Sequence, residues 1–225
     1  MLEIVYRDEH LIAINKPHGL LVHRSTIAAD AEEFALQLLR NQINQKVNPV
    51  HRLDRATGGV LLFALSKDVE IAMQQQFQDD LVHKNYLAIV RGYAPDTQDI
   101  DYPLRKENGT MQDAFTAYTT VKRAELPVPF GKHETSRYSL IDVKPTTGRM
   151  HQIRKHLSHV NHPIIGDTTH GCNKQNKLFR ERWEMSTLML HAAQLSFKHP
   201  VTHHEVAIQA PVNAAFDRVM KLMGW

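Results

Sequence analysis

The sequence is poor in cysteine and in long apolar runs. It has one cysteine, Cys172, in 225 residues, so it cannot form an intrachain disulfide. No stretch approaches the roughly 20 apolar residues that a membrane-spanning helix needs, and the mixed start from Met1 to Asn15 lacks the apolar segment of a signal peptide. These absences argue against a disulfide scaffold, a membrane protein and a secreted protein. They favour a cytoplasmic location, where thiols stay reduced.

Motifs that bind nucleotides or activate nucleophiles are also missing. There is no Walker A sequence, no Gly-x-Gly-x-x-Gly and no Gly-x-Ser-x-Gly. Histidine is frequent, with 15 residues, but the zinc motif His-Glu-x-x-His is absent and one cysteine cannot build a thiolate site. The sequence therefore predicts no metal and no cofactor. A metal-dependent phosphoesterase that uses the histidine-rich C-terminal part is the alternative.

The charge balance permits a polyanionic partner but does not require one. The net charge is +3, with 27 basic and 24 acidic residues. Hydrophobic residues make up 42% of the chain, which is enough for one sizeable core.

The hydrophobic pattern predicts strands more often than helices. Strands are expected at residues 2–6, 11–14, 60–65, 86–90, 138–143, 188–190, 195–197 and 205–208. Helices are expected at residues 31–43, after a Ser66 cap, at 149–159 after a Thr147 cap, and from Pro211 onwards. Residues 94–136 are expected to form strands interrupted by long loops. Because strands do not alternate regularly with helices, the sequence predicts a single α+β domain over residues 1–225, with a mixed, mostly antiparallel sheet and flanking helices and loops.

One candidate site surrounds an acidic residue, Asp54. It lies between Arg52 and Arg55, just before the pair Gly58-Gly59 and a buried strand. The flanking cations favour the ionised carboxylate, and the glycines allow a sharp turn with close backbone approach. Asp54 is therefore a candidate catalytic carboxylate at the mouth of a cleft. The alternative is a turn residue in a surface ion pair.

Two further segments are candidates for binding. Arg149, Arg154 and Lys155 make one end of a predicted helix strongly cationic, which indicates a phosphate- or carboxylate-binding surface or a solvated basic helix. Tyr86 opens a predicted strand after Lys84. A tyrosine in that position is either half-buried core or a ring on which a nucleic-acid base stacks.

Five sequence blocks, in the same order, resemble the hallmarks of RluA-type pseudouridine synthases. They are Asn15-Lys16-Pro17-x-Gly19, His51-Arg52-Leu53-Asp54-x-x-Thr57-x-Gly59, Lys84-x-Tyr86-x-Ala88, Gly148-Arg149-x-His151-Gln152-Ile153-Arg154 with Gly166-Asp167, and Leu190-His191-Ala192. Each block alone is weak, but five in order over nearly the whole chain are specific. This chain has Gly58 where the family usually has serine, and we expect the lost hydroxyl to loosen the turn after Asp54.

The resemblance implies an RNA-modifying isomerase without a cofactor. Asp54 is the implied catalytic carboxylate, as a nucleophile or as a base at the sugar. The resemblance also implies that Tyr86 stacks on the target uracil, that Arg154 pairs with Asp54, and that Arg52 fills the gap left by an extruded nucleotide. The other expected RNA contacts are His51, Arg55, Arg149, Lys16, Lys84 and Lys155.

The likeness is strongest to a tRNA-modifying branch of that family. This implies conversion of a uridine in the tRNA T stem, at position 65. A ribosomal-RNA pseudouridine synthase is the alternative within the family, and a non-catalytic RNA-binding protein is the alternative outside it. Because the catalytic blocks begin almost at Met1, no separate N-terminal RNA-binding module is expected. RNA is the expected partner of a monomer, with no membrane or protein partner.

Overall fold

The computed structural model describes residues 1–23 and 33–225, so residues 31 and 32 of the predicted first helix lie outside the described part. In chain order the elements are β1 (Glu3–Arg7), β2 (Leu11–Lys16), α1 (Ala35–Ile43), β3 (Asn48–Pro49), β4 (Gly58–Ala64), α2 (Lys67–Gln78), β5 (His83–Arg91), β6 (Thr97–Asp101), β7 (Leu104–Arg105), β8 (Met111–Gln112), β9 (Phe115–Leu126), β10 (Ser136–Pro145), α3 (Gln152–His159), α4 (Asn173–Trp183), β11 (Leu190–Lys198), β12 (Glu205–Gln209) and α5 (Ala214–Leu222). These elements confirm the α+β class.

The described residues form two compact units. The first comprises Met1–Lys84 and Ala192–Val212, and the second comprises Asn85–His191 and Asn213–Trp225. The prediction of one domain over residues 1–225 stays a prediction. None of the described helices is long and apolar enough to cross a membrane.

The first unit is an antiparallel sheet covered by α2. Its strands follow the order β1-β2-β4-β11, with β12 on β11 and β3 on β4. Every residue of β4 is buried. Val69 and Met73 of α2 share a core cluster with Leu62 and Phe197, which accounts for the helical period of the α2 sequence. The Ser66 hydroxyl accepts the Val69 amide at 3.4 Å, as predicted for the N-cap of α2.

The second unit is also built on antiparallel strands. Its strands follow the order β5-β10-β9-β6, and α3 packs on β9 and β10. β7 and β8 pair only with each other among the described strands, as a short hairpin. The segment 94–136 thus contains four strands, as the sequence predicted in outline.

Several element boundaries differ from the prediction. α3 begins at Gln152 rather than residue 149, because His151 adopts a left-handed conformation (φ 56°) at its N-cap and Thr147 bonds to the Gln152 side chain instead. α5 is capped by Asn213, so Pro211 precedes the helix. The predicted strands 188–190 and 195–197 give way to one strand, β11. α4 was not predicted, because its sequence is largely polar and only Gln175 and Phe179 are buried.

Candidate active site

The turn that carries Asp54 is held by its neighbours in sequence. Leu53 is buried beside it, and the Thr57 amide donates to the Asp54 carbonyl at 3.0 Å, closing the turn just before β4. Asp54 itself is half-buried, whereas Arg52 is exposed. The local sequence therefore anchors the turn on its apolar side and leaves the flanking arginine in solvent.

A buried lysine supports this turn from the preceding strand. The Lys16 ammonium donates to the carbonyls of Pro17 (3.0 Å), Leu20 (2.8 Å) and Arg55 (3.2 Å). Burial lowers the pKa of Lys16 to about 7, and the carboxylate of Asp54 acts in the opposite direction. The side chain is only 1% exposed. In this structure the ammonium points into the protein and binds backbone carbonyls, and the phosphate contact of Lys16 stays a prediction.

Arg55 links the same turn to the loop after β2. Its backbone carbonyl accepts the Gly19 amide at 2.8 Å, and its Nε donates to the Gly19 carbonyl at 3.1 Å. The glycine has a φ of 83°, a left-handed conformation that other residues rarely adopt. The side chain of Arg55 is exposed, and its RNA contact stays a prediction.

His51 has a structural environment that the sequence did not indicate. Its Nε2 accepts the backbone amide of Leu62 at 3.0 Å, and its ring stacks on Phe77 at 4.8 Å. Burial, followed by the charge of Lys84, lowers the pKa of His51 to about 3, so the ring is neutral at physiological pH. The ring thus joins β4 to α2, and the RNA contact of His51 stays a prediction.

Tyr86 lies on β5 in the second unit. It pairs with Val143 of β10 in the antiparallel register and is half-buried. Its neighbour Asn85 donates to the Asp142 carboxylate at 3.3 Å. The half-buried position permits both readings of the sequence, core packing and base stacking.

Arg154 forms a buried ion pair with Asp167. Its Nε and Nη2 each donate to one carboxylate oxygen at 2.8 Å, and the two side chains are 6% and 1% exposed. Asp167 also accepts the amides of Thr169 and His170 at 2.9 Å. Burial raises the pKa of Asp167, but the Arg154 hydrogen bonds and the backbone amides outweigh it and hold the pKa below its usual range.

Gln152 fastens the start of α3 to β9. Its Oε1 accepts from the Thr147 hydroxyl (2.7 Å) and the Arg149 amide (3.0 Å). Its Nε2 donates to the Phe115 carbonyl (2.9 Å) and the Thr116 hydroxyl (3.0 Å). This buried amide is fully hydrogen-bonded, so the helix that carries Arg154 has a fixed position on the sheet of its own unit.

The predicted site residues thus form two sets. Lys16, Arg52, Asp54 and Arg55 share the first unit, and Tyr86, Arg149, Arg154 and Lys155 share the second. The contact between Asp54 and Arg154 stays a prediction. The sequence missed the roles of Gln152 and Asp167, although both stand in blocks that resemble the family. The available signal was that Gln152 and Asp167 stand close to Arg149 and Arg154 in these blocks, which could have indicated a buried polar network.

The family pattern described as RNA pseudouridylate synthase matches residues 10–159. The chain belongs to this family, whose members are isomerases that act on uridine in RNA.

Relatives extend the match over the whole length. The tRNA pseudouridine synthase C of Vibrio cholerae is 45% identical, with 100% of this chain and 97% of that protein covered. The protein of the same name from Haemophilus influenzae is 44% identical, with 100% and 99% covered.

Solved structures agree on the fold. Human RNA Pseudouridylate Synthase Domain Containing 1 superposes with a TM-score of 0.76 and 22% identity, covering 100% of this chain and 95% of that one. Human RNA Pseudouridylate Synthase Domain Containing 4 gives a TM-score of 0.75 and 24% identity, covering 99% and 93%.

We expect Asp167→Ala to lower the free energy of unfolding by about 3–5 kcal/mol, because it leaves the Arg154 charge buried without its carboxylate. Chemical denaturation at pH 7 measures the change. The matched control is Asp217→Ala, which breaks the exposed pair with Lys221 and should cost less than about 1 kcal/mol.

The difference in unfolding free energy between the parent and Asp167→Ala should depend on pH. Because the pKa of Asp167 is depressed in the folded state, its contribution is fully present above the ordinary aspartate value of about 4. It is lost as pH falls through the folded-state pKa. The stability gap between parent and Asp167→Ala should therefore narrow in acid, and a gap independent of pH contradicts the assignment.

Proposed function

We propose that this chain is a tRNA pseudouridine synthase that isomerises a uridine in the T stem, with Asp54 as its catalytic carboxylate. The observation that carries the proposal is the turn of Asp54, a half-buried carboxylate held in a family motif by Lys16 and the Gly19 loop. The tRNA substrate is supported by relatives named tRNA pseudouridine synthase C that align over all of this chain.

The reaction needs a positioned carboxylate and no external reagent. The bond between N1 of uracil and C1′ of ribose breaks, the base rotates, and C5 bonds to C1′. The proton at C5 is released and N1 gains one, so no net oxidation occurs and no group donor is required. Asp54 acts at the sugar, as a nucleophile at C1′ or as a base. Its half-buried position limits competition from water for that role.

Tyr86 and Arg154 complete the proposed centre. The Tyr86 ring stacks on the detached uracil, and its hydroxyl assists proton transfer at C5. Asp167 engages Nε and Nη2 of Arg154, and the proposal pairs the same guanidinium with Asp54, as the resemblance implies. Two carboxylates on one guanidinium would keep Asp54 ionised and fix its direction, because the planar group presents its donors in a rigid fork.

Three exposed arginines and two partly buried lysines supply the RNA surface in this proposal. Arg52 enters the space left by the extruded nucleotide, whose extrusion costs a few kcal/mol. Arg55, Arg149, Lys84 and Lys155 contact backbone phosphates. Such contacts set register and strength rather than sequence, so the target uridine is recognised largely through RNA shape.

We expect Asp54→Asn to keep the fold and RNA affinity while lowering turnover about 10⁴-fold or more, since the amide can serve neither as nucleophile nor as base. Because isomerisation leaves mass unchanged, the readout is tritium release from tRNA labelled at C5 of uridine. Asp68→Asn, in the exposed first turn of α2, is the control for losing one carboxylate.

Normal turnover by Asp54→Asn removes the catalytic assignment. Mapping pseudouridine in tRNA and ribosomal RNA from cells that lack the protein tests the substrate. Loss of one tRNA modification supports the proposal, and loss confined to ribosomal RNA refutes the tRNA substrate while leaving the isomerase activity intact.

We expect Tyr86→Phe to bind tRNA within about threefold of the parent, because the stacking ring remains. Its turnover should fall about 10²-fold if the hydroxyl assists proton transfer. Binding is measured by filter retention and turnover by tritium release. Equal turnover of mutant and parent confines Tyr86 to stacking.

A further inference from the structure

A basic cavity of about 330 Å³ lies between the β7–β8 hairpin and the start of α3, within the second unit. Four cations line it: Arg105, Lys106, Arg149 and Lys155. Glu107 is the one carboxylate among its described lining residues. The sequence singled out the two α3-side cations, but nothing in the sequence connected them with the hairpin.

The four cations of this cavity outnumber the one carboxylate that lines it in the described part of the chain. None of the four cations forms an ion pair within residues 1–23 and 33–225. The Arg105 Nε donates to the Gly109 carbonyl at 3.2 Å, and the Arg149 Nε donates to the Asp113 carbonyl at 3.1 Å. Each guanidinium is therefore oriented by one backbone oxygen while its charge remains available to an anion.

The hairpin is built to hold its cations in place. Leu104 is buried and anchors its first strand. The turn closes through the Lys106 and Gly109 backbones, with Gly109 at a φ of 89°. An anion that enters this cavity meets donors already oriented, which reduces the entropic cost of binding.

We propose that this cavity binds a backbone phosphate of the RNA substrate, with Arg105 and Lys106 acting together with Arg149 and Lys155. The proposal rests on the proposed function and extends it to the hairpin. Guanidinium groups match phosphate oxygens in a bidentate geometry. Four cations against one carboxylate suit a polyanion rather than a single carboxylate ligand.

The test compares the salt dependence of tRNA binding by Arg105→Gln/Lys106→Gln with that of the parent. Each lost phosphate contact reduces the slope of log K against log[salt] by about 0.9. Between 50 and 200 mM salt, the parent should therefore lose about tenfold more affinity than the double variant. The matched control Lys46→Gln/Lys174→Gln removes two exposed cations elsewhere and should keep the parent slope.

Lys155→Gln tests the same cavity without changing the hairpin, because Lys155 lies on α3. It should reduce the slope of log K against log[salt] by about one. Equal slopes for parent, double variant and Lys155→Gln overturn the cavity assignment. Tritium release by the parent is measured on the same tRNA. A parent that releases none refutes the proposed function, whereas a converting parent with unchanged slopes in the variants refutes the cavity alone.

A second inference concerns the residue that stands where the family usually has serine. A Cβ added at Gly58 would lie 2.5 Å from Cδ2 and 2.6 Å from Nε2 of the His18 ring. Gly58 does not have a left-handed backbone conformation, unlike Gly59 with a φ of 110°. The His18 ring therefore occupies the space that a side chain at position 58 would need, and the Lys16 carbonyl, 3.2 Å from the same Cβ, narrows that space further.

We infer that His18 and Gly58 are a matched pair, in which the imidazole replaces a side chain at position 58 and positions the Asp54 turn. His18 lies between Lys16 and Gly19, whose hydrogen bonds to Arg55 hold that turn. This packing argues against the looser turn that the loss of serine suggested. His18 is a positioning residue here, and its effect on turnover rests on the proposed function.

A double-mutant cycle tests the pair with Gly58→Ser, His18→Ala and both together. Gly58→Ser should lower kcat about tenfold through displacement of the ring, with KM for tRNA nearly unchanged. Adding His18→Ala should restore most of that loss, because the ring no longer competes for the space. A double variant no better than Gly58→Ser overturns the pairing. The same cycle on thermal unfolding is independent of the proposed activity.

Discussion

The site in the second unit depends on the buried pair of Arg154 and Asp167. Both charges are almost fully removed from water, which is tolerable only because each finds several partners. The loop of Asp167 is in turn held by Asn176, whose side chain donates to the Asp167 carbonyl and accepts the Gly166 amide. The ion pair thereby joins α3 to the loop that follows it, and Asn176 joins that loop to α4. The direction of the guanidinium is therefore fixed by the fold.

In the first unit, backbone carbonyls rather than a carboxylate bind the buried amino group of Lys16. Lys16 is buried without a carboxylate hydrogen bond in the described contacts, and three carbonyls from two segments accept hydrogen bonds from its ammonium. The result is an amino group held in one direction beside the turn of Asp54, with its pKa lowered by burial to about 7. In both units the charges near the proposed chemistry are oriented before substrate arrives. An enzyme that stabilises developing charge benefits from such preorganisation, since no reorientation is needed during the reaction.

At the surface, three arginines among the proposed RNA-binding residues are exposed to solvent instead of buried. Arg52, Arg55 and Arg149 are exposed, and the latter two guanidinium groups are oriented by a carbonyl. Charges of this kind strengthen binding to a phosphate backbone and make it depend on salt. The hairpin of β7 and β8 adds cations that no motif contains.

Local patterns in the sequence predicted much of the fold. The β1–β2 hairpin, the buried strand β4 and the Ser66 cap follow from alternation, apolar runs and a single hydroxyl, all of which act within a few residues. The start of α3 was wrong because Gln152 draws Thr147 into a side-chain bond that depends on β9. α4 was missed because its two buried residues give almost no periodicity.

The sequence by itself determined the family, the α+β class and the identity of the candidate catalytic carboxylate, because ordered motifs and hydrophobic periods are written locally. Only the tertiary structure decided that Lys16 and His51 point inward, that Asp167 neutralises Arg154, and that His18 fills the space at Gly58. Burial and hydrogen-bond partners are set by packing between segments far apart in the chain. For that reason the motif alone could not show that the Lys16 ammonium binds three backbone carbonyls.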